Sequence, residues 1–329
     1  MTRSLSSIIN RLTLSSNGTQ LETINNFSVV EPQLVMQASN SGYYQNDYTM
    51  MEKANLVAVS GCLNVAQNIT NIPFSGCIPL IFGCLNSSQS WNLSLAPLQV
   101  QIDYNSVGVA FTQATGGVPT EFNVSSCQIV YENIQVEQNM LEAIKLEMAQ
   151  VPYTIPFSSV MCFSKACEAT CLYNIGVNFT SANGVFLTHA VPKTLAIIQK
   201  FKSNTQTDFS IYNDNQLVNT TGTLSVTDNI SSVYCEMQRA FASLQDTQVT
   251  SAFSVGGLGV VSSISESDQF LTGISLNRFN ESFNLSGTSV KQLTIGNSCT
   301  PSNGDISYIM ITYSGYITID QFGVVARYI

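Results

Sequence analysis

The chain has 329 residues, enough for two domains that each bury a core of their own. Charged residues make up only 10% of it, well below the roughly 25% of ordinary soluble domains, and uncharged polar residues take their place. The net charge of −9, with only 12 Lys and Arg, excludes a large phosphate-neutralising surface, so we expect no direct sequence-specific binding of nucleic acid. The sequence has neither an apolar run of about eighteen residues nor a signal-peptide pattern, and we expect neither a membrane span nor secretion.

Short segments of alternating polarity follow one another along the chain. In Leu98–Tyr104, apolar residues alternate with Gln, Gln and Asp, which is the period of a half-buried strand. Further strands are predicted at Phe27–Met36, Leu56–Ser60, Phe122–Val136, Val185–His189, Phe209–Tyr212, Leu271–Leu276, Gln292–Ile295, Ser307–Tyr313 and Tyr316–Ile319. Many short strands with few helices indicate an all-β sandwich or barrel.

Two segments have helical spacing instead. Apolar residues recur at intervals of three or four in Asn139–Gln150 and in Ser231–Gln245, which predicts a helix in each. Pro152 disfavours helical backbone at the residue before it, so the first helix should end there. We therefore predict two domains, residues 1–150 and 151–329.

The end of the chain is as rich in apolar residues as a core strand. Its last fourteen positions include Ile317, Ile319, Phe322, Val324 and Val325. Chain termini fray unless a sheet or packed element holds them. We therefore expect Tyr316–Ile319 and Phe322–Tyr328 to be strands of the second domain.

The sequence suggests no catalytic, cofactor-binding or metal-binding residues. The only histidine, His189, has no Asp or Glu within ten residues, so we interpret it as a strand-end residue and not as a general base. Cys162, Cys167 and Cys171 lack the fourth ligand and the tighter spacing of a zinc knuckle. The run Gly256–Gly259 is followed by no phosphate-binding pattern.

Cysteines and aromatic residues give two weaker indications. The cysteines are Cys62, Cys77, Cys84, Cys127, Cys162, Cys167, Cys171, Cys235 and Cys299. Their odd number and the lack of a signal sequence favour reduced thiols. Because no signal sequence is present and the chain is rich in Asn, Ser and Thr, we interpret the Asn-x-Ser/Thr triplets as chance occurrences and not as glycosylation sites. The cluster Tyr43, Tyr44 and Tyr48 suits a contact between domains or subunits better than a sugar site.

The second half resembles double jelly-roll major capsid proteins of virophages, polinton-like viruses and related icosahedral viruses. The resemblance is carried by Phe270–Leu276, Asn284–Ser289, Gln292–Ile295, Tyr308–Tyr313 and Gly315–Val325, preceded by Lys193–Lys202 and Val233–Phe241. In the first half, Ile78–Ile81, Leu93–Tyr104 and Phe122–Val136 are similar to the strand succession of the family's first domain. The chain has little spare length for the long outer loops of many relatives, so a low outer surface is expected.

The resemblance implies two tandem jelly-roll β-sandwiches and a structural, non-enzymatic role without cofactors. Three copies would place six sandwiches around a threefold axis and give a pseudo-hexameric capsomer that tiles an icosahedral shell. Its implied partners are further copies, within a homotrimer and laterally, together with penton and minor capsid proteins; an internal membrane is left open. The implied location is the virion, with assembly inside the host cell. The alternative is a trimeric β-sandwich spike or minor coat protein that binds a receptor or glycan.

Overall fold

A computed structural model describes residues 8–31, 78, 80–87, 89–110, 120–168, 170–176, 181–190, 206–213, 216–217, 224–225, 232, 235–236, 239–240, 272–276, 292–299 and 306–329. Its helices are α1 (Phe27–Val30), α2 (Val107–Ala110) and α3 (Gln138–Met148). Its strands are β1 (Ile9–Ser16), β2 (Thr19–Asn25), β3 (Leu98–Tyr104), β4 (Tyr153–Ala166), β5 (Thr170–Gly176), β6 (Ser181–Ala190), β7 (Gln206–Asn213), β8 (Gln216–Leu217), β9 (Leu224–Ser225), β10 (Thr272–Ser275), β11 (Gln292–Cys299), β12 (Ile306–Ile319) and β13 (Val325–Tyr328).

The first described sheet has the antiparallel order β2–β1–β3. β1 and β2 form a hairpin whose two turn residues, Asn17 and Gly18, both have positive φ angles of 47° and 81°. Asn-Gly is the preferred pair for this tight hairpin turn, because both central residues must be left-handed. Strand β3 has the predicted bounds, and it joins the sheet by pairing with β1. The prediction for Leu98–Tyr104 is confirmed.

The strand predicted at Phe27–Met36 is wrong over its described part. Asn26 has a φ of 51°, which turns the chain away from the sheet after β2. The backbone N–H groups of Val29 and Val30 then donate to the Asn26 carbonyl oxygen at 2.8 and 3.0 Å, which closes the short helix α1. Phe27 is fully buried, so the apolar residues serve a helix instead of a strand. Residues 32–36 and the strand predicted at Leu56–Ser60 lie outside the described residues.

The β ribbon predicted at Phe122–Val136 is also wrong. These residues are described, and they belong to no strand and are almost all exposed. Alternating polarity specifies a strand only where a neighbouring strand supplies backbone partners. No described strand pairs with this segment.

The second half forms two antiparallel sheets. One has the order β4–β12–β6–β10, with β13 beside the end of β12, and the other has the order β5–β11–β7, with β8 and β9 both paired to β7. Strands therefore alternate between the two sheets along most of this half of the chain, as they do in a jelly roll. The hydroxyl of Tyr173 on β5 lies 2.7 Å from that of Ser307 on β12 and joins the sheets through the core.

The remaining predicted strands of the second half are confirmed. They lie within or around β6, β7, β10, β11 and β12. The two segments predicted at Ser307–Tyr313 and Tyr316–Ile319 form one strand, because β4 pairs with β12 along its full length. At the terminus, the strand predicted at Phe322–Tyr328 begins only at Val325. A turn precedes it, in which the Asp320 carboxylate accepts hydrogen bonds from the N–H groups of Phe322 and Val324, both at 2.8 Å.

Both predicted helices are confirmed where the structure describes them. Helix α3 matches the segment Asn139–Gln150 to within two residues at each end. In the second segment the described residues 232, 235, 236, 239 and 240 are helical, and Arg239 pairs with Glu236 at 3.2 Å. None of the described helices is long and apolar enough to cross a membrane.

Candidate functional site

The β1–β2 hairpin is joined to the end of the chain by side-chain hydrogen bonds. The amide of Asn17 donates to the carbonyl oxygens of Leu95 and Gly323 at 3.2 and 2.7 Å. The hydroxyl of Thr19 donates to the Val325 carbonyl oxygen at 3.1 Å. The β1–β2 hairpin therefore meets the end of the chain around β13.

A buried carboxylate lies behind this contact. Glu22 is fully buried on β2, and its two carboxylate oxygens accept hydrogen bonds from the N–H groups of Gly83 at 3.0 Å and Cys84 at 2.8 Å. Gly83 packs so closely on β4 that a Cβ atom there would lie 1.8 Å from the Ser158 carbonyl oxygen. Only glycine permits this approach of two backbones.

The Cys84 thiol and the Tyr313 hydroxyl at this contact are held in their neutral forms. Burial, reinforced by the negative charge of Glu22, raises the pKa of the Cys84 thiol far above its ordinary value. Burial also raises the pKa of Tyr313, although the nearby Arg327 guanidinium opposes the shift. That guanidinium donates to the Tyr313 hydroxyl at 2.8 Å. A buried thiol with a raised pKa is inert as a nucleophile, so the arrangement suits cohesion and not catalysis.

Sequence reasoning missed this junction. Glu22 shares one face of β2 with the buried Ile24, and an acidic residue on an apolar face is the signal that could have indicated the buried carboxylate. Its partners at Gly83 and Cys84 lie about sixty residues away in the chain. No local pattern specifies such a contact.

The residues considered from the sequence are not brought into one site. His189 lies on β6, opposite Ser307 of β12. Cys162 is buried on β4, where burial raises its pKa to about 12, whereas Cys171 lies on β5 in the other sheet. Within the described ranges no group of three or more His, Cys, Asp or Glu side chains could hold a metal. The run Gly256–Gly259 and the tyrosines 43, 44 and 48 lie outside these ranges.

A long exposed segment, which we call the arm, spans residues 120–148. It carries eight large apolar side chains that face solvent, Val124, Ile129, Val130, Tyr131, Ile134, Val136, Met140 and Leu146. Val130 is 90% exposed and Ile134 is 66% exposed. The arm is attached at its two ends, where the Phe122 ring contacts Tyr104 edge-on at 6.2 Å and where Met148 is buried.

A second exposed apolar surface lies on the C-terminal hairpin, which we define as residues 316–328. The rings of Tyr316 and Tyr328 stack on its outer face with centroids 4.7 Å apart. At its turn, Phe322 is 80% exposed, and Val324 is also exposed. Phe322 and Val324 are among the apolar residues predicted to tie down the terminus, but the buried ones are Ile317, Ile319 and Val325.

The chain has a double jelly-roll fold. No protein-family model and no curated protein sequence matches it. Among solved structures, it is similar to a chain of the Sputnik virophage, with a TM-score of 0.54, 11% identity and coverage of 99% of this chain and 75% of that one. The resemblance suggested by the sequence is confirmed for the fold.

Two further structures have the same fold. VP54 of the virus PBCV-1, fitted into a reconstruction of Sputnik, matches with a TM-score of 0.53 and 11% identity over 98% of this chain and 84% of that one. A chain of the PBCV-1 virus capsid matches with a TM-score of 0.50 and 10% identity over the same shares of the two chains. At these identities the likeness concerns the fold.

Proposed function

We propose that the chain is a viral major capsid protein with no enzymatic activity, located in the virion. The observation that carries the proposal is a fold shared, over nearly its whole length, with proteins of a virophage and a virus capsid. The buried junction supports a structural role without enzymatic activity, because the side chains of Glu22, Cys84 and Tyr313 lie in a buried contact that stabilises the fold. The exposed apolar surfaces support it as well, since a subunit of a shell must bury large surfaces against its neighbours.

In this proposal three copies form a pseudo-hexameric capsomer, and capsomers tile an icosahedral shell. Two sandwiches per chain, divided near residue 150, give six around a threefold axis. The division is supported by α3, which ends at Met148, and by β4, which opens the second sandwich at Tyr153. Lateral copies, penton proteins and minor capsid proteins are the further partners of such a capsomer. An internal membrane beneath the shell is compatible with the proposal.

The composition supports repeated self-contact. With 10% charged residues, two faces can meet without desolvating many charges. Uncharged amides and hydroxyls can still form hydrogen bonds across such a contact.

Native mass measurement combined with negative-stain electron microscopy tests the proposal. We expect a complex of three 35.7 kDa chains, and at high concentration arrays of hexagonal blocks. Trimers that never form lateral contacts and bind a receptor or glycan would favour the spike alternative. A monodisperse monomer would contradict both.

A further inference from the structure

The exposed apolar side chains are concentrated on two surfaces. Sixteen large apolar residues are exposed among the described residues, of which eight lie on the arm and four on the C-terminal hairpin. The four on the hairpin are Tyr316, Phe322, Val324 and Tyr328. Single exposed apolar residues are ordinary, but contiguous groups mark interaction sites.

The arm has the composition of a strand but pairs with none of the described strands. Its segment 123–136 is rich in β-branched and aromatic residues, yet no backbone hydrogen bond joins it to another described element. Backbone that makes no hydrogen bond to another described element is available to pair with a partner. The arm has 29 residues, and interfaces of standard size use roughly 20–30 residues a side.

We propose that the arm of one copy of the chain packs against the C-terminal hairpin of a neighbouring copy. The proposal rests on the capsid function proposed above. A second copy explains both exposed surfaces at once, because it brings a hairpin for each arm and an arm for each hairpin. An unrelated partner bound to either surface would leave the other exposed.

The geometry of such a contact fits a closed ring. The arm and the hairpin are different surfaces, so their contact is head-to-tail. Head-to-tail contacts close into rings when the rotation between neighbours permits. In a ring of three, every arm and every hairpin is covered and no copy differs from the others.

The charges on the two surfaces indicate an apolar contact. The arm has five glutamates and a single lysine, Lys145. On the hairpin, Asp320 accepts hydrogen bonds from its own turn and Arg327 donates to Tyr313. Neither surface offers the other a set of opposite charges, so apolar burial must supply the affinity.

Substitutions at exposed positions test the proposal without disturbing the fold. We would introduce Val130→Lys with Ile134→Lys on the arm, and separately Phe322→Lys on the hairpin. The matched control is Ser164→Lys, an exposed position on β4 outside both surfaces. Sedimentation velocity measures the trimer dissociation constant, and thermal unfolding of the dissociated chains shows that each variant folds.

We expect both surface variants to weaken the trimer about tenfold or more and the control to leave it unchanged. Trimers of wild-type strength in both variants, each folded like the control, would overturn the arm contact and leave the capsid proposal intact. A wild-type chain that is monomeric at every concentration would instead overturn the capsid proposal and, with it, the arm contact.

Photo-crosslinking identifies the partner directly. We would place p-benzoylphenylalanine at Gln135, an exposed polar position of the arm, in the full chain. Trimers are assembled from a mixture of isotopically light and heavy chains and then irradiated. Mixed light–heavy peptides that join the arm to residues 306–329 are expected. Crosslinks confined to single chains, or directed to another surface of the neighbour, would contradict the proposal.

Discussion

At the scale of single residues, Glu22 gives a direct test of the buried junction. Glu22→Gln places an amide N–H₂ where one carboxylate oxygen now accepts a backbone hydrogen bond, leaving the N–H of Gly83 or Cys84 unpaired. Loss of a buried hydrogen bond to a charged group should lower the free energy of unfolding by about 1.5–3 kcal/mol. Chemical denaturation measures this. Glu121→Gln, the same change at an exposed arm position, is the control and should have little effect; equal stability of the two variants would contradict the role of Glu22.

The buried cysteines predict a dependence on pH. Burial raises the pKa of Cys84 and raises that of Cys162 to about 12, above the ordinary thiol value of about 9. Below pH about 9 the thiols are protonated in both the folded and the unfolded chain, and the free energy of unfolding keeps its full value. Above that pH the unfolded chain releases thiol protons that the folded chain retains, so the free energy of unfolding falls. Stability should therefore fall between pH about 9 and about 12.

Alkylation without reductant, followed by mass mapping, should label the exposed Cys235 in the native protein and reach Cys84 and Cys162 only on unfolding. Rapid native labelling of Cys162 would contradict its burial. Disulfides among Cys162, Cys167 and Cys171 would contradict the expectation of reduced thiols.

At the scale of elements, the end of β12 and strand β13 should be essential to the fold. Removing residues 315–329 exposes the core that Ile317, Ile319 and Val325 cover. Each such side chain contributes roughly 1.5–3 kcal/mol, and together they approach the 5–15 kcal/mol by which a typical domain is stable. The truncated chain should be insoluble or melt without cooperativity. As a control, Phe322→Ala at an exposed position of the same hairpin should leave the thermal unfolding of the single chain unchanged. If the truncated chain is soluble and melts cooperatively, residues 315–329 are an appendage and not part of the core.

The elements also show what the sequence could predict. The bounds of Leu98–Tyr104 could be predicted because apolar and polar residues alternate along it. In the structure this strand pairs with β1, and most of its apolar residues are more buried than its glutamines. Phe122–Val136 has similar composition, but a strand needs a partner, and the pattern does not say whether the chain supplies one. Phe27 and its neighbours form a helix because of the left-handed backbone at Asn26, which apolar periodicity does not encode.

At the scale of the whole molecule, charge predicts how assembly responds to salt. Each chain carries a net charge of −9, so copies repel one another, while the proposed contact between the arm and the C-terminal hairpin is apolar. The Debye length falls from about 10 Å at 0.1 M salt to about 3 Å at 1 M, which screens the repulsion. Light scattering should therefore show association strengthening as salt rises. Dissociation at high salt would mean that ion pairs hold the copies together.

The two halves of the chain differ in how far sequence reasoning reached. The strands predicted in the second half are confirmed because each pairs with a neighbour in one of the two sheets, whereas the sequence analysis did not predict β4 and β5. The junction between the β1–β2 hairpin and the C-terminal hairpin was not predicted, because it depends on Asn17 meeting residues that lie up to 306 positions away. The double jelly roll came from the order of many weak patterns and not from any single motif.

Cryo-electron microscopy of the purified, assembled protein tests whether the chain forms a threefold capsomer. The proposed assembly predicts a threefold particle with six β-sandwiches in a nearly hexagonal outline, two from each chain. The arm of each chain should lie on the C-terminal hairpin of the next. A particle with one sandwich per chain, an elongated spike without lateral faces, or a lone monomer would contradict it.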